Sequence, residues 1–510
     1  MSEDSSSSNS DHHHKHSRRV KQRVIKYRLR SYTEGNQPKA SSQSTIEKYL
    51  NDVNDASDGA AQGMANANRT LLTLYDMLEL DQETREFCKK LNFLTFPNEA
   101  EWKPLPESPD FPSAASLSQL LLCLTDPIKQ PKGFQVDFII TIPTFTTPNI
   151  VLGALFTRFF ADVSQQGCNI KDDKLNTIRT IIINIIKATW IRYAAYQLEN
   201  PKIFKAIEFF AEAIMTSVNP SLAMVLKSAI KTLEGKSDKV DTQKVEYDFV
   251  LSSLPENEWT LMNIPEIELA RQLNYFFMMQ FRQIQSTDIL ATAWGSKKEH
   301  NSEKFELMIN YFNDFSCFVS RSIINASPDP HERARVIKRW VDIAYICLNP
   351  EQQDSAPYNK FVNYHAVFAI MYGVTHPSIN RLTETQKFAT RTNKVRNAHI
   401  QEMNELINQV GNFKVYKEKL ANTARCLPFV GVLQKELVYI TEMFPNTIDG
   451  LINFKKCTEI VKFIRLVESY QESPNIIPHK RIQDLIQGIP KDIGIIALIQ
   501  ESQKAEPSKK

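Results

Sequence analysis

The chain has 510 residues, of which 42% are hydrophobic and 23% charged, and its formal net charge is +3. This length accommodates two or three ordinary domains, and the composition is typical of soluble globular proteins rather than fibrous or disordered ones. A net charge so close to zero does not favour binding to a phosphate backbone, so we expect no nucleic-acid partner. The seven cysteines are scattered and form no C-x-x-C pair, a pattern typical of reduced thiols in a cytoplasmic protein.

The first 43 residues are rich in Ser, His, Lys and Arg, and they are predicted to form a disordered tail. No acidic residue occurs from His12 through Thr33. Such a polybasic segment is attracted to an anionic membrane surface by about 1 kcal/mol per basic residue. A solvated tail or a nuclear-import signal explains the same pattern, so these interpretations stay open. Because no apolar stretch opens the chain, we expect a cytoplasmic protein, with membrane recruitment as the open alternative.

Residues 44–112 are predicted to form short helices followed by a proline-rich connector. Ser44, Thr45, Ile46 and Glu47 have the form of a capping box, and prolines from Pro97 to Pro112 break the later helical pattern. From Leu117 onward, apolar residues recur with helical spacing. The predicted helices cover 117–125, 133–142, 148–163, 174–197, 201–216 and 221–233. A charged connector follows, and helical periodicity resumes at Ile264.

One uncharged segment, from Phe138 to Thr157, has the length of a membrane span. It contains Pro143, Pro148 and several threonines, which fit a continuous apolar helix poorly. We therefore predict a buried segment of a soluble domain.

The motifs of covalent catalysis are absent from the sequence. It has no phosphate-binding P-loop, no H-E-x-x-H, no G-x-S-x-G and no kinase signature set. The isolated histidines have no metal-ligand spacing. We therefore expect no covalent chemistry, no metal and no cofactor.

A series of ordered motifs resembles those of one known family. They are I-E-L-A-R-Q-L at 267–273, I-N-Y-F-N at 309–313, R-A-R-V-I-K at 333–338, P-S-I-N-R-L at 377–382, P-F-V-G at 428–431 and I-N-F-K-K at 452–456. Their content and order resemble the catalytic domain of Ras-family guanine nucleotide exchange factors. Upstream, F-I-I-T-I-P-T-F-T-T-P at 138–148 is similar to the accessory Ras exchanger motif domain.

This resemblance implies an all-α fold. A helical exchanger motif domain would pack on a larger helical catalytic domain that carries a protruding helical hairpin. The implied segments are 1–43 (tail), 44–112, 113–235 (exchanger motif domain), 236–262 (connector), 263–500 (catalytic domain) and 501–510 (disordered tail). The implied activity is release of GDP, and so GTP loading, from a small GTPase of the Ras, Rap or Ral type.

The resemblance also assigns catalytic roles. Val438 occupies the apolar position that crowds the magnesium ion of the GTPase, and Glu442 occupies the carboxylate position that disturbs phosphate binding. Four residues apart on a helix, the two side chains project from one face. Phe429 is the third assignment, as an exposed aromatic anchor for the second switch segment. Ordinary core packing is the alternative for this phenylalanine.

Further residues follow from the same resemblance. The implied GTPase-binding residues are Asn310, Arg381, Lys435 and Thr441. The implied structural residues are Arg271, Asn363, Asn453 and Phe454. Arg381 is equally compatible with holding a loop of its own domain.

Departures from the family pattern leave a second hypothesis open. Asn274, Thr441 and the tip Met443-Phe444-Pro445 differ from the usual residues. A helical adaptor that keeps the fold and binds a GTPase without releasing nucleotide is therefore the alternative. An unrelated helical solenoid is disfavoured because the sequence has no fixed-period repeat.

Overall fold

The computed structural model describes residues 59–129, 131–217, 220–234, 248–295, 303–350, 360–391, 394–472 and 475–507. These residues fall into two compact units. The first contains the described residues up to 234 together with Met443–Val461, and the second contains those from 248 to Glu442 together with those from Lys462 to 507. The predicted tail 1–43, the capping box at Ser44 and residues 236–247 of the predicted connector lie outside the described residues.

The first unit is mainly helical. Its helices are α1 (Gly59–Met77), α2 (Gln82–Lys90), α3 (Leu117–Leu124), α4 (Phe134–Thr141), α5 (Pro148–Phe159), α6 (Asp172–Asn184), α7 (Pro201–Ser217) and α8 (Pro220–Glu234). A π-helical segment, Ile185–Trp190, continues α6 toward Tyr193. The predicted helices of this region are confirmed to within a few residues at most ends.

Local sequence explains where helix α5 begins. The Thr147 hydroxyl accepts a hydrogen bond from the Ile150 amide, and Pro148 follows at the first helical position. Threonine caps the free amides of a first turn, and proline there loses no hydrogen bond. The T-T-P motif is thus a helix start. No helix in the described part of the chain is long and apolar enough to cross a membrane.

The first unit also contains a small sheet that the sequence pattern did not predict. Its strands are β1 (Trp102–Leu105), β2 (Ser108–Ala115), β5 (Thr447–Ile448) and β6 (Leu451–Ile452), in the order β1-β2-β6-β5. The prediction of only helices and a connector for 44–112 is therefore wrong. Prolines donate no N–H to a ladder and usually mark its end, but here Pro104 and Pro112 face each other where the register of β1 and β2 is irregular.

Residues before 113 are an integral part of the first unit. Helix α1 lies against α5 and α7, and α2 lies against α5. The Tyr75 hydroxyl hydrogen-bonds the Thr157 hydroxyl at 2.5 Å in the interior. The predicted boundary at 113 falls inside strand β2, so the compact unit begins earlier in the chain than the predicted domain.

The second unit is a larger helical assembly. Its helices are α9 (Glu266–Phe281), α10 (Ser286–Trp294), α11 (Glu303–Ile324), α12 (Pro330–Leu348), α13 (Tyr364–Val374), α14 (Pro377–Asn380), α15 (Thr383–Thr390), α16 (Lys394–Leu406), α17 (Val410–Ala421), α18 (Val430–Met443), α19 (Phe454–Ser469), α20 (Lys480–Gln487) and α21 (Ile495–Ala505). Helices α18 and α19 extend past the boundary between the units at 443 and 461. A two-stranded parallel ladder joins β3 (Val362–Asn363) to β4 (Cys426–Leu427). The all-α class is confirmed.

The C-terminal segment is ordered, so the prediction of a disordered tail at 501–510 is wrong for residues 501–507. The Glu506 carboxylate accepts from the Arg333 guanidinium at 2.7 Å and from the Thr385 hydroxyl at 2.6 Å. It also accepts from the backbone amides of Glu384 and Thr385, both at 3.0 Å. Arg333 is fully buried, and the carboxylate that compensates its charge comes from the segment assigned as tail.

Candidate functional site

Helix α18, the predicted first arm of the hairpin, presents large apolar side chains to solvent. Val438, Tyr439 and Met443 are 45%, 60% and 55% exposed, and Lys435 and Glu442 lie on the same face. These five residues are spaced i, i+3, i+4, i+7 and i+8, the period of one helical stripe. We call them the α18 stripe. Contiguous exposed apolar groups on a helix mark a surface that binds another molecule.

The polar members of this helix differ in how they are engaged. The Glu442 side chain is exposed, and it makes no hydrogen bond or ion pair with the described residues. The Lys435 ammonium donates to the Asn412 side-chain oxygen at 3.0 Å. The Thr441 hydroxyl donates to the Leu437 carbonyl oxygen at 2.8 Å within the helix. Of the polar groups predicted on this helix, Glu442 is thus the carboxylate available to a partner.

Phe429 is not the exposed anchor that was predicted. It is 7% exposed, and its ring stacks on Phe368 with centroids 4.2 Å apart and lies 5.1 Å from Phe312. Core packing, the alternative interpretation, describes it. The ring also lies against Gly431, where an added Cβ would come within 2.5 Å of Phe429 Cζ. The P-F-V-G motif needs glycine at 431 because the Phe429 ring leaves no room for a side chain at the start of α18.

Asn453 organises the segment between α18 and α19. Its side-chain nitrogen donates to the Pro445 carbonyl oxygen at 2.7 Å, and its side-chain oxygen accepts from the Lys456 amide at 3.2 Å. The Lys456 ammonium donates to the Asn446 side-chain oxygen at 2.7 Å. Asn453 is 1% exposed, so it both caps the first turn of α19 and fixes the preceding loop.

The same loop is joined to the N-terminal residues of the first unit. Ala115 of β2 pairs with Ile452 of β6, and Lys103 forms an ion pair with Asp449. The hydrogen bond from Lys103 lowers the pKa of the Asp449 carboxyl. Phe454 is fully buried, with its ring 4.8 Å from that of Phe134. Strands β1 and β2 and the ring of Phe134 therefore support residues 443–461. We call residues 59–234 of the first unit the accessory region.

The two remaining predicted contact residues have different surroundings. Asn310 is exposed on α11, one turn after the 54% exposed Leu307. Arg381 is half-buried, and its guanidinium donates to the Ser502 carbonyl oxygen at 2.6 Å. Arg381 thus fastens helix α21, the structural alternative that the sequence left open, and the assignment to GTPase binding is not supported by its position.

Buried polar residues explain the first catalytic-domain motif. The Arg271 guanidinium lies 3.3 Å from the buried Glu268 carboxylate and donates to the Asp248 carbonyl oxygen at 3.1 Å. Glu268 also accepts from the Val250 amide at 3.1 Å. Glu268 and Arg271 of this motif thus hydrogen-bond the backbone of Val250 and Asp248, which are among the first described residues of the second unit.

Asn363 has a comparable local role. Its side-chain oxygen accepts from the Ala366 amide at 2.9 Å and caps helix α13. Tyr439 and Met443 were missed by the sequence reasoning, although their spacing from Val438 and Glu442 could have indicated them. Across the described ranges, no three His, Cys, Asp or Glu side chains cluster so as to hold a metal ion.

Comparison with known families matches two sequence models to this chain. The RasGEF N-terminal motif matches residues 112–210, and the RasGEF domain matches residues 268–458. The first match falls in the unit that contains β2 and α3–α7. The second includes the α18 stripe and the whole loop fixed by Asn453.

Two of the similar known proteins match this chain over 78% of its length. Ras guanine nucleotide exchange factor J of Dictyostelium discoideum is 28% identical over 414 residues, covering 78% of this chain and 48% of that protein. Ras guanine nucleotide exchange factor A of the same organism is 27% identical over 419 residues, covering 65% of its length. The human Ras-specific guanine nucleotide-releasing factor 1 is 30% identical over 222 residues, covering 43% of this chain and 16% of that protein. The chain thus spans about half the length of relatives such as factor J.

Fold and sequence together define a helical protein in which a RasGEF N-terminal motif precedes a RasGEF domain. The chain thus contains these two domains and is similar over most of its length to Ras guanine nucleotide exchange factors such as factor J.

Proposed function

We propose that this protein stimulates release of GDP, and so loading of GTP, on a Ras-family small GTPase by placing the α18 stripe beside the nucleotide site. The observation that carries the proposal is the exposure of Val438 and Glu442 on one face of α18, within the matched RasGEF domain. The names of similar proteins support the same activity.

The chemistry of the nucleotide site explains how such a stripe acts. Small GTPases hold the phosphates through P-loop amides, a lysine and a magnesium ion. The Val438 side chain offers no ligand to magnesium. The Glu442 carboxylate would stand beside phosphate oxygens of like charge, which raises the energy of the nucleotide-bound state.

The energy required is compatible with the size of the stripe. A 10,000-fold acceleration needs about 5.5 kcal/mol of stabilisation that favours the opened GTPase. Completing the burial of three half-exposed apolar side chains contributes roughly 3–4 kcal/mol. Only contacts made preferentially with the opened state count toward acceleration. Burial of Val438, Tyr439 and Met443 against the opened GTPase alone would supply a large share of the required energy.

The experiment is release of a fluorescent guanine nucleotide from purified Ras, Rap, Ral and Rho proteins in the presence of the full chain. We expect acceleration on a Ras-, Rap- or Ral-type protein and none on Rho. Binding to one of these proteins without acceleration on any of them would instead establish the adaptor alternative.

A further inference from the structure

The first amides of helix α18 are bonded by side chains from two other helices. The Phe429 amide donates to the Tyr416 hydroxyl oxygen at 2.7 Å, and the Val430 amide donates to His365 Nδ1 at 3.4 Å. Tyr416 belongs to α17 and His365 to α13. The first amides of a helix have no acceptor within the helix itself, so these two side chains supply what α18 lacks.

These contacts lie in the interior of the second unit. Tyr416 and His365 are fully buried, and the ring of His365 lies 4.8 Å from Phe277 and 5.1 Å from Phe312. Burial lowers the pKa of His365 to about 3, so the imidazole is neutral at physiological pH and can accept at Nδ1. Water cannot replace either acceptor here, and a buried amide without one is costly.

The backbone just before α18 is held by the same part of the chain. Strand β4 pairs in parallel with β3, with Cys426 opposite Val362 and Leu427 opposite Asn363. His365 follows β3 by two residues. The start of α18 is thus fixed by a backbone ladder and by two side-chain acceptors.

The position of the first turn of α18 determines where the α18 stripe lies. At a rise of about 1.5 Å per residue, Val438 and Glu442 lie roughly 12 and 18 Å along the helix from Val430. A rotation of about 5° at the start would therefore move Glu442 by roughly 1.5 Å. Displacements near 1 Å at reacting groups lower rates by up to about 100-fold.

We propose that Tyr416 and His365 are positioning residues for nucleotide exchange. Their acceptors fix the direction of α18, and so they determine the maximal rate of exchange rather than the affinity for the GTPase. The inference rests on the proposed function. It concerns two buried residues that are not part of the α18 stripe.

Tyr416→Phe tests the proposal because it removes one hydroxyl and keeps the ring. Tyr364→Phe is the matched control, since the Tyr364 hydroxyl hydrogen-bonds the Thr423 hydroxyl at 2.7 Å and its ring lies 5.3 Å from that of Tyr416. We expect Tyr416→Phe to lower the nucleotide release rate at saturating GTPase about 5- to 10-fold, the effect of one buried amide left without an acceptor. The half-saturating GTPase concentration should stay within about twofold, and the control should change neither quantity.

A second pair of variants tests His365. In His365→Asn the side-chain oxygen takes the place of Nδ1, whereas His365→Leu has no acceptor. We expect the asparagine variant to keep several times more of the maximal rate than the leucine variant. Amide hydrogen exchange at residues 429–432 should rise in Tyr416→Phe and His365→Leu but not in Tyr364→Phe.

The outcomes separate this inference from the proposed function. If the wild-type chain is active and Tyr416→Phe exchanges nucleotide as fast as Tyr364→Phe, the positioning role is overturned and the proposed function stands. If the wild-type chain accelerates release from no GTPase, the proposed function fails and the inference with it.

Discussion

Gly431 shows how a single missing methyl group determines the start of α18. The ring of Phe429 occupies the space that a Cβ at this position would need. The Phe429 ring in turn packs against Phe368 and Phe312, so it cannot move away without disturbing the aromatic core. A packing requirement, rather than a turn with positive φ, selects glycine here.

We expect Gly431→Ala to lower the free energy of unfolding by about 1–3 kcal/mol because the added methyl overpacks this core. Gly494→Ala is the control: its φ of −67° suits alanine, and its Cβ would meet nothing within 4 Å. Urea denaturation should show the control within about 0.5 kcal/mol of wild type. Equal unfolding midpoints for the two variants would contradict this interpretation.

Glu506 is a second residue whose role depends on its partners. Burial alone would raise the pKa of this carboxyl, but hydrogen bonds from Thr385, Arg333 and two amides outweigh it and lower the pKa. A group with a lowered pKa stabilises the fold above its unfolded pKa and loses this contribution as pH falls through the lowered value.

Glu506→Gln should therefore unfold more easily at neutral pH, by about 1.5–3 kcal/mol, because a neutral amide replaces the charged hydrogen-bond acceptor of the buried Arg333. The difference from wild type should shrink as pH falls through the lowered pKa of Glu506, where the wild-type carboxylate becomes protonated. Glu332→Gln removes the exposed pair with Arg335 and should cost less than about 1 kcal/mol. A pH-independent difference at Glu506 would show that its charge is not the cause.

Helix α19 illustrates how an element is supported by residues far away in the chain. Phe454, its first residue, packs between Phe111 and Phe134, with centroids 5.8 and 4.8 Å away. Asn453 caps the same turn, and β6 pairs with β2 just before it. The accessory region thus stabilises the loop 443–453 through apolar contact as well as hydrogen bonds.

Phe454→Ala should lower the stability of the first unit by about 3–5 kcal/mol, since it removes a fully buried ring. Leu466→Ala on the same helix, where the side chain is 39% exposed, should cost about 1 kcal/mol or less. Thermal unfolding of the two variants provides the comparison. Similar losses for both would mean that the Phe454 contacts contribute little.

The helices were predictable because apolar spacing and caps are local signals. Helix α5 begins at the predicted Pro148, and α7 begins at the predicted Pro201. Strands β1 and β2 were not predictable, because their prolines are typical of a connector and their partner β6 lies more than 300 residues away. The end of the chain was assigned as tail for a similar reason, since Glu506 is held by tertiary hydrogen bonds from Arg333, Thr385 and the Glu384 amide.

The candidate site was predicted in part. The spacing of Val438 and Glu442 placed them on one face, and that face is exposed. Exposure itself is not encoded locally, so Phe429 was expected at the surface although it is buried, and Tyr439 was overlooked. The orientation of Arg381 toward Ser502 depends on a helix more than 100 residues later.

At the scale of the whole molecule, the domains matched by the sequence families have different boundaries from the two compact units of the structure. The RasGEF match at 268–458 extends into residues 443–461, which belong to the same compact unit as the N-terminal helices. Removing the accessory region would therefore expose β6 and the Phe454 ring. The two matched domains should be expressed together in any functional test.

The basic N-terminal segment gives a prediction for the full chain. Deleting residues 1–43 should leave nucleotide exchange in solution nearly unchanged but reduce it on vesicles containing anionic lipid, because the segment contributes charge attraction to such surfaces. Neutral vesicles are the control. Equal rates on anionic vesicles with and without the segment would remove the membrane hypothesis.

The central claim is that this protein exchanges nucleotide through the α18 stripe. The most direct measurement is release of fluorescent GDP from the responding Ras-family GTPase with Val438→Asp, compared with Val395→Asp, which alters another exposed valine on α16. We predict at least a tenfold lower rate for Val438→Asp, a loss of about 1.4 kcal/mol or more, and a wild-type rate for Val395→Asp. Wild-type rates for both variants would contradict the claim.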